Sequence, residues 1–367
     1  MRLGFFCLLT MLLFSPSAAT CSEWFGNNES QLDRLIKSPG QKKPVAIFDW
    51  DNTVIKNDIG DATFFWMVAH DRIRRPKSWR ETSRYLTGAA IRELDRYCAP
   101  LPISADCADS LLTIYNDGLL KDGKTGAWKK GYDPDLMKPA YAWVAQLLAG
   151  YRPDEVREMA EQVIRFNLKN KVGARQRIGS KEYPSFIRIY NPMKRLIAKL
   201  KRAGFDVWVV SASSQYIVEP FAKRVGISAD HVIGIRPVLD SDGKITADFE
   251  GCGTKSSGQS VITYRKGKRC WINKVIFNMK DKRDQMERPS PIAFGAGDSD
   301  TDLFFLRDAT ALRLVINRNK RELMCHAYAN QDGNWIINPM FILPKPKKAD
   351  GYTCGDFGLP DQEDSVY

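Results

Sequence analysis

The sequence predicts an α/β protein whose core is a doubly wound parallel sheet, with a second, largely helical part inserted into that core. Short continuous apolar runs alternate with helix-like stretches along the chain, which is the pattern of parallel strands and their connecting helices. Residues 49–204 separate the first two predicted strands, and this interval is far too long for one crossover connection. The interval therefore predicts an insertion.

The composition is that of a globular chain with about two domains. The chain has 367 residues, of which 44% are hydrophobic and 27% are charged. These values lie near the globular average and exclude disorder, collagen and coiled coil as overall classes. The formal net charge of +12 permits an anionic substrate or a basic surface and selects neither.

The first 19 residues have the pattern of a secretory signal peptide. A positive start at Arg2 is followed by an apolar run from Leu3 to Phe14 and by small residues that end at Ala19. The run is shorter than the roughly 20 residues that span a bilayer, so a cleaved signal is favoured over a membrane anchor. We therefore expect a secreted or periplasmic protein with no membrane span after cleavage. Lipidation of Cys21 is a weaker alternative.

Export makes disulfide bonds permissible. Cys7 is removed with the signal peptide. If each later cysteine pairs with its neighbour along the chain, three short loops are closed and Cys21 has no partner in this scheme. Many other connectivities are compatible with the same cysteines. The hypothesis is therefore the set Cys98–Cys107, Cys252–Cys270 and Cys325–Cys354.

The core elements follow from apolar runs and helical patterns. Continuous apolar runs are typical of strands buried on both faces, and they predict strands at Val45–Phe48, Phe205–Val210, Ile292–Gly295 and Leu312–Ile316. Helical patterns predict helices at Met193–Ala203, Tyr216–Val225, Lys274–Met279 and Thr301–Arg307. Asp242-Gly243 predicts a β-hairpin between Ile235–Leu239 and Lys244–Phe249.

We expect one core with an inserted cap, in place of two domains in series. The core is predicted to comprise residues 44–56 and 186–335, and the cap residues 57–185. Helix-like stretches in the cap are Ala62–His70, Thr82–Tyr97, Pro139–Leu148 and Pro153–Asn167. Residues 336–367 have little periodicity and are predicted to be a C-terminal tail on the surface.

Acidic residues directly follow the first predicted strand, in the run Asp49-Trp50-Asp51-Asn52-Thr53. Parallel sheets bind ligands at the carboxyl ends of their strands. Residues two apart in an extended chain point to the same side, so one carboxylate can attack a substrate while the other exchanges protons. An acidic turn with a capping threonine is the alternative.

Three further segments have related positions. Ser211-Ala212-Ser213-Ser214 offers a hydroxyl and backbone N–H groups that suit an anion, although a helix cap has the same pattern. Lys274 near a predicted helix start could offset phosphate charge, although a surface lysine is the ordinary alternative. Residues 295–302 place Asp298, Asp300 and Asp302 beside a strand end, where they could hold a hard cation or form an acidic helix start.

In this order the segments resemble the haloacid dehalogenase-like superfamily of phosphohydrolases, within its phosphoserine phosphatase-like and phosphorylcholine phosphatase-like branch. The opening run from Asp49 to Ile55 resembles the first motif of that branch closely, and the insertion has the position of its helical cap. The resemblance covers about Pro44–Lys56 and Tyr190–Ile316. It implies a Rossmann-like core and a magnesium-dependent phosphomonoesterase that forms an aspartyl-phosphate.

The resemblance also implies roles for single residues in catalysis. Asp49 is the nucleophile, and Asp51 protonates the leaving oxygen and later activates the hydrolytic water. The groups implied to bind or neutralise the phosphoryl oxygens are Thr53, Ser211, Ala212 and Lys274.

The same resemblance implies a Mg²⁺ site. The implied ligands are the Asp49 carboxylate, the Asp51 backbone carbonyl and the Asp298 carboxylate, with Asp302 as a ligand or a neighbour of one. Asp300 has no assigned role.

The substrate is expected to be a small phosphomonoester. Phosphoserine phosphatases place an acid shortly after the first motif, and the nearest match here is Asn57, with Asp58 one residue later, which speaks against phosphoserine. An aromatic cage for a quaternary ammonium group would favour phosphorylcholine, although aromatic residues at helical spacing are more often core. The aromatic residues concerned are Phe64, Phe65, Trp66, Trp79, Tyr85, Trp128, Tyr132, Tyr141 and Trp143.

Other functions stay open at this point. A phosphoserine-type phosphatase or a phosphotransferase would use the same aspartyl-phosphate intermediate, and a non-catalytic binding protein would have this fold without the phosphatase chemistry.

Short basic runs at residues 72–75 and 265–269 are expected to be solvated faces, so no nucleic-acid partner is expected. The oligomeric state is not predicted.

Overall fold

The computed structural model describes residues 23–99, 102–253, 260–346 and 351–355. The predicted signal peptide and Cys21 lie outside these residues. Across the described ranges, helices fall short of the length and apolar character that a membrane crossing requires.

Helices and strands alternate along the chain. The strands are β1 Val45–Phe48, β2 Ile55–Lys56, β3 Arg175–Ile178, β4 Lys181–Pro184, β5 Arg188–Ile189, β6 Asp206–Ser214, β7 Val232–Ile235, β8 Pro237–Leu239, β9 Ile245–Phe249, β10 Phe294–Gly297, β11 Leu312–Asn317 and β12 Trp335–Pro339. The α-helices are α1 Asn28–Lys37, α2 Ile59–Ala69, α3 Gly88–Tyr97, α4 Ala105–Asp117, α5 Pro139–Gln146, α6 Pro153–Lys169, α7 Asn191–Arg202, α8 Gln215–Ala222, α9 Lys266–Val275, α10 Lys282–Glu287, α11 Leu303–Asp308 and α12 Arg321–Ala329.

A six-stranded parallel sheet forms the core, in the order β12-β11-β10-β1-β6-β7. Strand β1 lies inside it and is buried on both faces. Ala46 and Phe48 belong to one apolar cluster, whereas Val45 and Ile47 belong to the cluster on the opposite face. The predicted doubly wound α/β fold is therefore confirmed, and its continuous apolar strands follow from cover on both faces.

Several element bounds differ from the prediction. Strand β6 continues through Ser214, so the serine run belongs to the strand and does not follow it. Helix α9 begins at Lys266 and ends at Val275, so the predicted helix at 274–279 is wrong. Strands β7 and β12 were not predicted, and β12 carries the sheet to Pro339, past the boundary expected at residue 335.

In the described residues between β2 and β5 lie five α-helices, α2 to α6, and the hairpin β3–β4. Helix α4 was not predicted. Strands β2 and β5 pair antiparallel, with Ile55 opposite Ile189 and Lys56 opposite Arg188, where the chain leaves the core and returns to it. A largely helical insertion is thus present, while its limits at residues 57 and 185 stay a prediction.

All three disulfide pairs of the hypothesis are present in the structure, namely Cys98–Cys107, Cys252–Cys270 and Cys325–Cys354. Cys98 and Cys107 are fully buried and join the end of α3 to the first turn of α4. Cys325 lies on α12, and its partner lies in the C-terminal tail.

Replacing Cys98 and Cys107 together by alanine should lower the free energy of unfolding by about 2–4 kcal/mol, because the unfolded chain loses a covalent constraint. Urea denaturation of the oxidised protein would measure it. The single variant Cys98→Ala breaks the same bond and should lose a comparable amount. A single variant as stable as the wild type would contradict the disulfide.

Candidate active site

Side chains from three neighbouring strands meet at the carboxyl edge of the sheet. Asp49 follows β1, Ser213 is the last residue but one of β6, and Asp298 follows β10. Together with Tyr115 and Tyr141 from the insertion, they line a cavity of about 480 Å³. The sheet thus collects residues that are far apart in sequence.

The loop after β1 orients two carboxylates toward this cavity. Asn52 and Asn57 have left-handed backbone, with φ of 62° and 69°, which asparagine tolerates better than most residues. The Asn52 N–H donates to the Asn57 carbonyl, and the Asn57 N–H donates to Asn52 Oδ1. Trp50 is fully buried against Phe221, so the carboxylates on either side of it face the cavity.

Asp49 is held by two donors. Thr53 Oγ1 donates to Asp49 Oδ2 at 2.7 Å, and Lys268 Nζ donates to Oδ1 at 2.6 Å. Burial and the neighbouring charge of Asp298 raise the pKa of Asp49 to about 6, although Lys268 opposes the rise. Burial thus favours the protonated form of Asp49, and Lys268 offsets part of that effect.

Lys268 supplies the buried cation that had been assigned to Lys274. Its Nζ lies 2.6 Å from both Asp49 Oδ1 and Asp302 Oδ1, and its side chain is fully buried. Burial alone would lower the pKa of Lys268, but the two carboxylates outweigh this effect and raise it. Lys274 lies further along α9, donates to the Gly251 carbonyl and lies over the Trp271 ring, so its assignment is wrong.

Asp51 accepts three hydrogen bonds. The Ile59 N–H donates to Oδ1 at 2.7 Å, while Ser213 Oγ and Ser211 Oγ donate to Oδ2 at 2.8 and 3.2 Å. Burial and the charge of Asp49 raise the pKa of Asp51 to about 7, against the effect of the hydrogen bonds. A carboxyl group of this kind can give and take a proton near neutral pH.

The serine run therefore has a different arrangement from the one expected. Ser211 is fully buried and contacts Asp51, while Ala212, Ser213 and Ser214 line the cavity. The contact of Ser213 with Asp51 was not predicted. Phosphate binding by Thr53, Ser211 and Ala212 stays a prediction.

The acidic loop after β10 is held by its own last aspartate. Asp302 Oδ2 accepts the N–H groups of Asp298 and Ser299 at 3.0 and 3.1 Å. A Cβ at position 297 would lie 2.7 Å from Asp302, so this close approach requires Gly297. Asp300, which had no assigned role, accepts the N–H of Leu323 near the start of α12 at 2.8 Å.

Three buried carboxylates in the described part of the chain lie close enough to share a cation. Ligand oxygens of Asp49, Asp298 and Asp302 all lie within 4.8 Å of one another. Oxygen donors of this kind suit Mg²⁺. All three also accept hydrogen bonds from protein donors, Lys268 being shared by Asp49 and Asp302 while Arg318 donates to Asp298.

The distal part of the cavity is aromatic and acidic. Tyr115, Tyr132, Tyr141 and Tyr264 line it, together with Asp58 and Asp61. Tyr115 and Tyr264 were not among the predicted aromatic residues. Phe64, Trp79 and Trp143 of that predicted set are packed in the core.

Asp58 and Asp61 form an acidic pair beside these tyrosines. Burial, with the charges of Asp51 and Asp61, raises the pKa of Asp58 well above its usual range, and burial also raises that of Asp61. The Tyr115 hydroxyl donates to Asp61. Asn57, the nearer sequence match, donates to the Phe186 carbonyl, so the cavity acid is Asp58.

Comparison with known proteins agrees with this architecture. The haloacid dehalogenase-like hydrolase family matches residues 113–307. Phosphorylcholine phosphatase of Pseudomonas aeruginosa is 22% identical over an alignment of 326 positions, which covers 83% of this chain and 83% of that one. A protein of unknown function from Anaerococcus prevotii has a similar fold, with a TM-score of 0.58, 21% identity, and coverage of 85% of this chain and 91% of that one. A second such structure, from Bordetella pertussis, has a TM-score of 0.50, with 18% identity and coverage of 82% and 100%.

The chain belongs to the haloacid dehalogenase-like hydrolase family, since the match covers more than half of it. The predicted membership, and with it the prediction of a phosphoric monoester hydrolase, is confirmed at the level of enzyme class.

Lys268→Met should reduce hydrolysis of para-nitrophenyl phosphate by about 10²–10³-fold, because a fixed positive charge at the reacting centre is lost. Lys274→Met removes the same charge from the same helix outside the site and should retain most of the activity. Kinetics of both variants, with circular dichroism to verify folding, would check this. Equal losses in the two variants would contradict the assignment.

Proposed function

We propose that the protein is a Mg²⁺-dependent phosphomonoesterase that works through an aspartyl-phosphate and accepts a small phosphorylated amino alcohol. The supporting observation is the Asp49 carboxylate, which faces the cavity while Thr53 and Lys268 hold its two oxygens. Asp51 lies beside it with a pKa of about 7, suited to a proton carrier.

The first half-reaction transfers the phosphoryl group to the protein. Asp49 attacks phosphorus, the bond to the leaving alcohol oxygen breaks, and Asp51 donates its proton to that oxygen. In the second half-reaction Asp51 takes a proton from water, which attacks the aspartyl-phosphate. Inorganic phosphate leaves and Asp49 is regenerated.

Charge neutralisation is the main task of the surrounding groups, because phosphoryl transfer depends on positioning and on compensation of oxygen charge. Lys268 compensates one side of Asp49. Asp49 and Asp298 fit a Mg²⁺ ion, with the Asp51 carbonyl as a further donor. When bound, the ion supplies positive charge that allows an anionic phosphate to approach a carboxylate.

The distal cavity supports a cationic leaving group. Asp58 and Asp61 are half-buried, and burial raises the pKa of both despite the charge of Arg318, so a substrate ammonium group would favour their charged forms. Tyr115 and Tyr141 line the same cavity, and aromatic rings attract cations of this kind. Phosphorylcholine has a cationic leaving group of this kind, and the Pseudomonas relative is named phosphorylcholine phosphatase.

We also propose that the protein is exported. The three disulfides support this location, because such bonds persist in oxidising compartments.

Asp49→Asn should abolish Mg²⁺-dependent phosphate release, because the nucleophile is lost. Asp51→Asn should still release a burst of about one nitrophenolate per enzyme from para-nitrophenyl phosphate, since this leaving group does not require protonation, and should then turn over slowly. Stopped-flow absorbance would distinguish the two. Asp300→Asn is the matched control and should behave as the wild type. A burst in Asp49→Asn would overturn the proposed nucleophile.

Asp61→Asn should lower the ratio of kcat/KM for phosphorylcholine to that for para-nitrophenyl phosphate by about tenfold, because only the first substrate carries a cation. Values of kcat/KM of the wild type for phosphoethanolamine, phosphoserine and glycerol phosphate would show which of these substrates it prefers. An unchanged ratio would argue against the amino-alcohol assignment and leave the phosphatase mechanism intact.

A further inference from the structure

Arg318 follows strand β11 and lines the same cavity as the proposed catalytic residues. Its Nη1 donates to Asp298 Oδ2 at 2.5 Å, while Thr53 Oγ1 lies 3.2 Å from Oδ1. Arg318 therefore orients one oxygen of this nearly fully buried carboxylate, whereas the single Thr53 hydroxyl hydrogen is shared with the closer Asp49. Sequence patterns gave no sign of Arg318.

The guanidinium also acts on the acidic pair in the distal cavity. Its charge opposes the rise that burial causes in the pKa of Asp58 and Asp61. Arg318 is thus a positive charge close both to a proposed metal ligand and to the region proposed for the leaving group.

The C-terminal tail holds the backbone next to Arg318 in place. The part of the tail that the structure describes beyond β12 comprises residues 340–346 and 351–355. Asn319, the next residue, is fully buried with a left-handed φ of 61°, and its N–H donates to Asn317 Oδ1 at 2.7 Å. Its side chain donates to the Pro346 carbonyl and accepts a hydrogen bond from the Tyr352 hydroxyl. The disulfide Cys325–Cys354 fixes this tail to α12.

We propose that Arg318 is a positioning residue that sets the metal affinity of Asp298, and that the C-terminal tail holds it in that position. The inference rests on the proposed function, since it concerns the same metal site. A guanidinium on one carboxylate oxygen fixes the other oxygen but also repels an incoming divalent cation. Arg318 therefore keeps the bound ion exchangeable, at the cost of affinity.

Calorimetric titration of Mg²⁺ into the metal-stripped protein at a fixed pH tests this. Arg318→Gln should bind Mg²⁺ about tenfold more tightly, because a nearby positive charge is removed. Arg318→Lys keeps the charge and should stay within about twofold of the wild type. A merely structural role would weaken binding in both variants, so tighter binding separates the two roles.

The tail is tested by removing its disulfide with Cys325→Ala and Cys354→Ala. This double variant should shift the Mg²⁺ affinity in the same direction as Arg318→Gln and should add nothing when combined with it. Unchanged affinity in the tail variant would overturn the clamp.

Asp298→Asn separates the proposed role of Arg318 from the proposed metal site itself. Loss of Mg²⁺ binding in this variant, together with unchanged or weaker binding in Arg318→Gln, would overturn the role of Arg318 alone. Unaltered binding in Asp298→Asn, or no binding by the wild type, would overturn the proposed metal site itself.

Discussion

Lys268 allows two like charges to be buried side by side. Strands β1 and β10 are neighbours in the sheet, and Asp49 and Asp302 follow their carboxyl ends with ligand oxygens less than 5 Å apart. Two carboxylates without a countercharge would not both stay ionised in a buried site. Helix α9 supplies the compensating ammonium group 2.6 Å from each of them. This contact joins α9 to the loop after β10 and to the Asp49 carboxylate.

The two carboxylates of the loop after β1 have different hydrogen-bond partners. Asp49 is bound directly to Lys268, whereas Asp51 is held by serine hydroxyls and a backbone N–H. The two carboxyl groups therefore have different surroundings, although only one residue separates them. The roles proposed for them, nucleophile and proton carrier, require such a difference.

The sequence was most informative where one physical constraint dominated. Continuous apolar runs revealed β1 and β11 because cover on both faces leaves no place for polar residues. Lys268 was missed because it lies in the basic run 265–269, which reads as a solvated surface. Gly267 was the one indication in this run that the segment is packed against the core. A Cβ at position 267 would lie 2.0 Å from the Ile262 carbonyl oxygen, so the close contact requires glycine. Tyr115 and Arg318 could not be found, because tertiary contacts between distant segments bring them to the cavity.

The short antiparallel pair β2–β5 brings the two ends of the inserted segment side by side at the sheet. In topological terms the whole segment is one long loop with closely spaced ends, attached beside the loop that carries Asp49. Residues that would recognise the leaving alcohol, such as Asp61 and Tyr141, lie on this loop, while Asp49, Lys268 and Asp298 lie outside it. Most of the residues proposed to recognise the leaving alcohol are therefore encoded in a different stretch of the gene from the proposed reacting groups. An exchange of the inserted stretch could alter the substrate without moving the reacting groups.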